Sequence, residues 1–189
     1  KNEVLPEKPI FLCMSRLIKS KGLIEYAEAA KILKQKYPDA EFLLAGFPDD
    51  HEDSISEDEI KNNWLRDFGI KYIGLSTNPI ETIASCSAYV LLSYNEGTPR
   101  SVLEAMAMGR AIITTDVPGC RETVLDDTSG YLVSVRDSVS AAGGMEKLMN
   151  SEKRSTMGKA SRNFCERKFD VKNVNLILIN SMFDIHPNI

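Results

Sequence analysis

A chain of 189 residues, 43% hydrophobic and 26% charged, is long enough to bury the core of one sizeable domain. Its formal net charge of −4 excludes general nucleic-acid binding, which needs a basic face, and means that a polyanionic ligand must be met by a local cluster of cations. The cysteines carry no Cys-x-x-Cys spacing, so neither a disulfide framework nor a zinc site is expected. Cys13 and Cys86 lie in apolar surroundings and are expected buried and reduced, as in a cytosolic protein. No apolar run reaches the roughly 20 residues of a membrane span, and the opening residues do not read as a secretory leader.

Residues 1–8 form a charged, proline-bearing lead-in. The apolar run at 10–14 predicts a buried strand, followed by a basic loop at 15–22 that carries Arg16, Lys19 and Lys21. Helical spacing predicts a helix over 23–37, closed by Pro38, and a second strand over 41–45 that ends at Gly46. The stretch 47–59 is acidic and predicts a solvated loop rather than a metal site. Ser56 and Glu59 form a capping box for a helix to Phe68, closed by Gly69, with Trp64 in packing. A third strand is expected at 71–74, and a short helix at 79–86 with Ile80, Ile83 and Ala84 inward.

The run at 88–92 reads as a central strand. Thr98 is the expected N-cap of the next helix, with Pro99 at its first position and Gly109 past its end. A fifth strand follows at 111–115, a tight turn at 116–122 opening a brief helix, and a sixth strand at 130–133. Beyond Ser138 only helical patterns occur, at 138–149, 151–168 and 171–183, with 186–189 fraying. Short apolar runs alternating with helices define the fold class: α/β, a doubly wound Rossmann-like parallel sheet of about six strands with a C-terminal helical tail. The expected organisation is a lead-in at 1–8, a ligand-binding domain at 9–169 and a C-terminal helix at 170–189.

Open α/β sheets gather ligands at the carboxyl ends of their strands. There the fourth loop offers Glu96, Gly97 and a helix N-terminus whose free N–H groups and positive dipole suit phosphate. Glu96 and Glu104 repel phosphate and accept hydrogen bonds, so beside a nucleotide they would hold sugar or ribose hydroxyls. Arg16 and Lys21 are the natural neutralisers of a diphosphate, Arg as a bidentate clamp and Lys as a point charge. The alternative is that these are surface charges flanking a helix start. Arg100 and Arg121 are weaker candidates, Arg121 being placed to pair with Glu122 or Asp126. A dinucleotide cofactor and a P-loop are disfavoured by the absence of their glycine motifs. With histidines only at 51 and 186, a Ser-His-Asp arrangement has little support.

At Glu96-Gly97-Thr98-Pro99, with Glu104-Ala105 and Gly109 in register, the sequence resembles the donor-binding half of GT-B glycosyltransferases, in particular the retaining family 4 (glycosyl transferases group 1) and its Glu-x7-Glu motif. Ser15-Arg16-Leu17 with Lys21-Gly22, Thr115-Asp116-Val117-Pro118-Gly119 with Arg121-Glu122, and Gly130-Tyr131-Leu132-Val133 extend the likeness, which runs from Pro9 to Phe169. The resemblance implies transfer of a hexose or N-acetylhexosamine from a nucleotide sugar, expected to be UDP-linked, with no metal cofactor. It assigns Glu96, Arg16 and Lys21 to catalysis. Donor binding falls to Glu104, to Gly97, Thr98, Pro99, Arg100 and Ser101 at the phosphates, and to the main chain of Ile73 and Gly74 at the base. Ser15 departs from the family, which often has Gly there. The resemblance further implies an amino-terminal domain outside this chain that binds an acceptor glycan or lipid-linked sugar, and a cytoplasmic enzyme, peripheral at the inner face of the membrane, in bacterial capsule, O-antigen or glycan synthesis. The 189-residue chain alone is then expected to transfer no sugar. A non-catalytic nucleotide-binding or interaction module and a sugar-nucleotide epimerase remain the alternatives.

Overall fold

The computed structural model describes residues 5–182, so the first half of the lead-in and the fraying at 186–189 lie outside the described residues. Six strands, β1 (Ile10–Met14), β2 (Glu41–Ala45), β3 (Ile70–Tyr72), β4 (Ala88–Leu91), β5 (Ala111–Thr115) and β6 (Gly130–Val133), form one sheet in the order β3-β2-β1-β4-β5-β6. Every neighbouring pair is parallel. Parallel neighbours need crossovers, and helices supply them on both faces: α1 (Leu23–Lys36), α2 (Glu57–Glu59), α3 (Leu65–Phe68), α4 (Pro79–Ala84), α5 (Arg100–Ala107) and, after the sheet, α6 (Ser138–Lys147), α7 (Ser151–Phe169) and α8 (Val171–Met182). The doubly wound, six-stranded Rossmann-like class and its helical tail are as the sequence predicts.

Strand alternation splits the core in two. Phe11, Cys13, Phe42, Val90 and Ile113 face α1 and α6, packing on Tyr26, Leu33 and Met145. Leu12, Tyr89, Leu91 and Ile112 face the other way, onto Val102 and Met106 of α5 and Cys165 of α7. All four residues of β4 are buried, which is why its stretch reads as an uninterrupted apolar run. Strand order reverses between β1 and β4, and their carboxyl ends flank the crevice where such sheets place ligands. That seam is also short: only Phe11↔Ala88 and Leu12↔Tyr89 pair across it, while β1–β2 pairs over five positions and β4–β5 over four.

Several details differ from expectation. The third strand is Ile70–Tyr72, so Ile73 and Gly74 follow it; the chain turns out at Gly74 with φ +76°, which ends the ladder. The helix after the acidic loop starts with the expected cap, Glu59 N–H donating to Ser56 Oγ at 3.1 Å, but passes through a π turn at Ile60–Trp64 before α3. Trp64 is buried there, as packing requires. Ile80, expected inward, is 66% exposed, because the first turn of α4 overhangs a cleft rather than the core. α8 buries none of its residues and leaves Leu176, Ile177, Leu178 and Met182 in the open.

The free cysteines Cys13, Cys86, Cys120 and Cys165 are all buried. Burial pushes the Cys13 and Cys86 thiols from 9.0 up to about 12. These thiols should therefore resist iodoacetamide at mildly alkaline pH until the chain is unfolded, as read by mass spectrometry with and without urea. The linked effect on stability is fully present below pH 9.0. It is lost as pH rises towards about 12, because unfolded thiols release protons that folded ones retain.

Candidate nucleotide-sugar site

Four loops meet at the carboxyl ends of the central strands. Gly22 closes the basic loop with φ +69°, and a Cβ there would lie 2.1 Å from the Leu92 carbonyl oxygen. Only glycine lets the end of the basic loop sit against the end of β4. Gly119, at φ +84°, does the same from the loop after β5: its Cβ would lie 1.8 Å from the Gly97 carbonyl oxygen and 2.3 Å from that of Glu96. Tyr94 N–H completes the join by donating to the Ser20 carbonyl at 2.9 Å.

This packing brings Lys21 and Glu96 together. Lys21 Nζ lies 2.5 Å from Glu96 Oε1, and both side chains are about one-sixth exposed, at 16% and 15%. Ser93 Oγ donates to the same carboxylate oxygen at 2.7 Å, and the Ser93 carbonyl accepts from Thr115 Oγ1 at 2.5 Å. Glu96 is thus held by one cation and one hydroxyl, with β5 fixing the hydroxyl's own backbone. Arg16, more exposed, is ion-paired with Asp49 from the loop after β2. The two cations singled out by sequence are both present at the crevice, and both carry carboxylate partners.

The start of α5 needs a one-residue correction. Pro99, not Thr98, is the N-cap, with extended φ −71° and ψ 111°, and Arg100 is the first helical residue. Thr98 is exposed and makes no side-chain cap. The correction matters for chemistry, since the first-turn N–H groups of Arg100 and Ser101 keep no side-chain acceptor and remain open to an anion. Gly97 is exposed beside them with open space around it. The Arg100 side chain is exposed and has no ion pair among the described residues.

Glu104 sits one turn further along α5 and lines a cleft of about 1150 Å³ between α4, α5 and α7. Asn78, Pro79, Ile80 and Arg110 share that cleft. Glu104 is half-buried and its carboxylate has no hydrogen bond or ion pair among the described residues, so it can accept from hydroxyls. At the edge, Ile73 N–H donates to the Leu44 carbonyl and the Gly74 carbonyl accepts from Gly46 N–H, both at 2.9 Å. The Ile73 carbonyl and the Gly74 N–H take no part in these bonds. Arg121 is paired with Asp116 at 2.8 Å, not with Glu122 or Asp126. Among the described residues no three His, Cys, Asp or Glu side chains converge as metal ligands would.

A second group went unread in the sequence. Tyr94 Oη donates to Glu25 Oε1 of α1 at 2.6 Å, and the Arg136 guanidinium lies 4.6 Å from the Tyr94 ring centroid. Arg136 adopts the left-handed φ of +57°, rare for an arginine, to reach that ring. Burial, with Glu25 beside it, pushes the Tyr94 phenol up to about 12. The trio braces the loop two residues before Glu96. No local pattern announces it, since its members come from three separate elements.

The model of the family described as glycosyl transferases group 1 matches residues 1–164. The chain belongs to the glycosyl transferases group 1 family. Among its group 1 relatives, the N,N'-diacetylbacillosaminyl-diphospho-undecaprenol α-1,3-N-acetylgalactosaminyltransferase of Campylobacter jejuni is 33% identical over 153 residues, covering 81% of this chain and 39% of the relative. The chain spans about two fifths of the length of the curated relatives it matches. Among solved structures, the C-terminal domain of a group 1 glycosyl transferase protein, LpcC of Francisella tularensis, is 27% identical with a TM-score of 0.73, covering 88% of this chain and 89% of that one. A TarM variant of Staphylococcus aureus, crystallised with fondaparinux, α-GlcNAc-glycerol and UDP, has a TM-score of 0.82 at 20% identity over 95% of this chain and 37% of that one, a likeness of fold.

Proposed function

We propose that this group 1 domain is the donor-binding half of a retaining family 4 glycosyltransferase of GT-B architecture. It takes a UDP-linked hexose or N-acetylhexosamine. The observation that carries the reading is the Lys21–Glu96–Ser93 arrangement at the β1/β4 crevice, beside an α5 N-terminus that no side chain caps. The diphosphate would lie between the Arg100 and Ser101 amides and the Arg16 and Lys21 side chains. Glu96 would hold hydroxyls of the transferred sugar, Glu104 the ribose diol, and the Ile73–Gly74 main chain the base. When the bond between the anomeric carbon and the diphosphate oxygen breaks, negative charge grows on the leaving diphosphate. The fixed cations and the helix N-terminus stabilise that charge, work that needs no metal.

The relatives support the wider setting. The Campylobacter enzyme's name gives it a lipid-diphosphate-linked acceptor and an N-acetylhexosamine, and TarM was crystallised with UDP. By this reading the domain proper covers 9–169 and follows a linker at 1–8. The tail from 170 crosses to an acceptor-binding amino-terminal half, which suits the open apolar residues of α8. The whole enzyme would work in bacterial capsule, O-antigen or glycan synthesis, in the cytoplasm or at the inner membrane face. No helix among the described residues is long and apolar enough to cross a membrane.

Glu104→Ala tests the assignment. Losing two charge-assisted bonds to a ribose diol should weaken UDP binding about 10- to 100-fold. The same substitution should leave 2′,3′-dideoxy-UDP almost unaffected, because that ligand offers Glu104 nothing to lose. Equal losses for both ligands in a calorimetric titration would remove Glu104 from the ribose.

A further inference from the structure

The acidic stretch after β2 has no part in the site so far, yet it is laced to the basic loop. Leu17 N–H donates to the Phe47 carbonyl at 2.9 Å, Lys19 N–H to that of Asp53 at 3.0 Å, and Ile55 N–H to that of Leu17 at 2.7 Å. Ile18 and Ser54 add an antiparallel bridge. The acidic segment therefore cannot drift off into solvent; its backbone holds its carboxylates beside the cations. From this position Asp49 pairs with Arg16.

The charges at the crevice then cancel in pairs, Lys21 with Glu96 and Arg16 with Asp49. An arriving diphosphate therefore meets Arg16 and Lys21 already paired, in a chain of net charge −4. The two pairs are not equally easy to open. Glu96 is mostly buried and also holds Ser93, so releasing Lys21 dismantles the site. Asp49 is one-quarter exposed and has no other side-chain partner among the described residues, so it can swing into water and leave Arg16 free.

We infer that Asp49 is an intramolecular competitor for Arg16, occupying in the empty site the position a diphosphate takes in the filled one, and that it thereby sets the nucleotide affinity low. The inference rests on the reading of Arg16 and Lys21 as diphosphate ligands. Its consequence is a uniform weakening: every ligand that needs Arg16 must first displace the carboxylate, and a spent diphosphate is readily exchanged for Asp49.

The test is a double-mutant cycle on the 189-residue chain with UDP and UMP as probes, followed by NMR shift perturbation up to millimolar ligand. Asp49→Asn keeps the shape and removes the charge. It should tighten UDP about three- to tenfold at low salt, as expected for one partly exposed charge, with the gain fading as salt rises. In an Arg16→Ala background the gain should vanish, which a merely structural role for Asp49 would not produce. UMP, which lacks the second phosphate, should gain no more than UDP does. UDP affinity unchanged or weakened by Asp49→Asn, or a gain that persists without Arg16, overturns the inference while leaving the nucleotide site intact. Absence of any shift in the loops after β1 and β4 on adding UDP overturns the site itself, and the inference with it.

Discussion

Gly119→Ala should destabilise the domain by about 2–5 kcal/mol, combining left-handed backbone strain with overpacking. The added Cβ has nowhere to go: at φ +84° it would sit 1.8 Å from one backbone oxygen and 2.3 Å from a second. Both oxygens belong to the Glu96–Gly97 segment, so relief of the clash must displace the carboxylate that Lys21 and Ser93 hold. Loss of nucleotide binding is expected even where the chain still folds. Gly97→Ala is the matched control, because no atom lies within 4 Å of its added Cβ and its φ is not positive. It should change stability by under about 0.5 kcal/mol. Urea unfolding of both variants, monitored by Trp64 fluorescence, decides the comparison. Equal stabilities would mean that the loop after β5 does not bear on the β4–α5 loop.

Lys21→Met should carry the second large effect. It removes a cation from the proposed diphosphate site and leaves a carboxylate that is 15% exposed with only the Ser93 hydroxyl as donor. UDP affinity should fall about 10- to 100-fold, the range for a lost charge-assisted bond. Stability should fall by about 1–3 kcal/mol from the unpaired Glu96. In Lys21→Met with Glu96→Gln, the stability should return while the affinity does not, because the neutral amide needs no counter-ion but the phosphate still does. A double variant that recovers UDP binding would take Lys21 out of the diphosphate site.

How much of this could be read in the sequence depends on how local each feature is. Most of the strands were legible because each is a short, largely apolar run bounded by turn residues, and the central ones are buried on both faces; β3, with Lys71 exposed at its middle, was read one residue late. Arg16, Lys21, Glu96 and Glu104 were singled out by charge and loop position, and the fold brings Lys21 to Glu96 across 75 residues of chain. Their partners were not legible. Nothing near Arg16 in sequence marks Asp49, 33 residues on, because the pairing arises only when the loops after β1 and β2 are laid side by side. The Glu25–Tyr94–Arg136 brace is invisible for the same reason. The Thr98 cap failed differently, by one residue. The rule that favours proline at the first helical position placed the cap one step early, whereas Pro99 itself is extended and ends the loop. Ile80 shows the limit of helical periodicity, which says which face is apolar but not whether core or cleft lies opposite.

The short seam between β1 and β4 bears on the mechanics of the domain. Ladder pairing joins β1 to β2 as far as Met14 and β4 to β5 as far as Leu91, but β1 and β4 share ladder pairs only at Phe11–Ala88 and Leu12–Tyr89. Towards the crevice the seam is spanned by a side chain, Tyr89 Oη donating to the Met14 carbonyl at 2.9 Å. The ladder is therefore thinnest along this line, beneath the proposed nucleotide site. A ligand that bridges the basic loop and α5 would act as a further clasp across that line, beside the Tyr94–Ser20 backbone bond that already spans it.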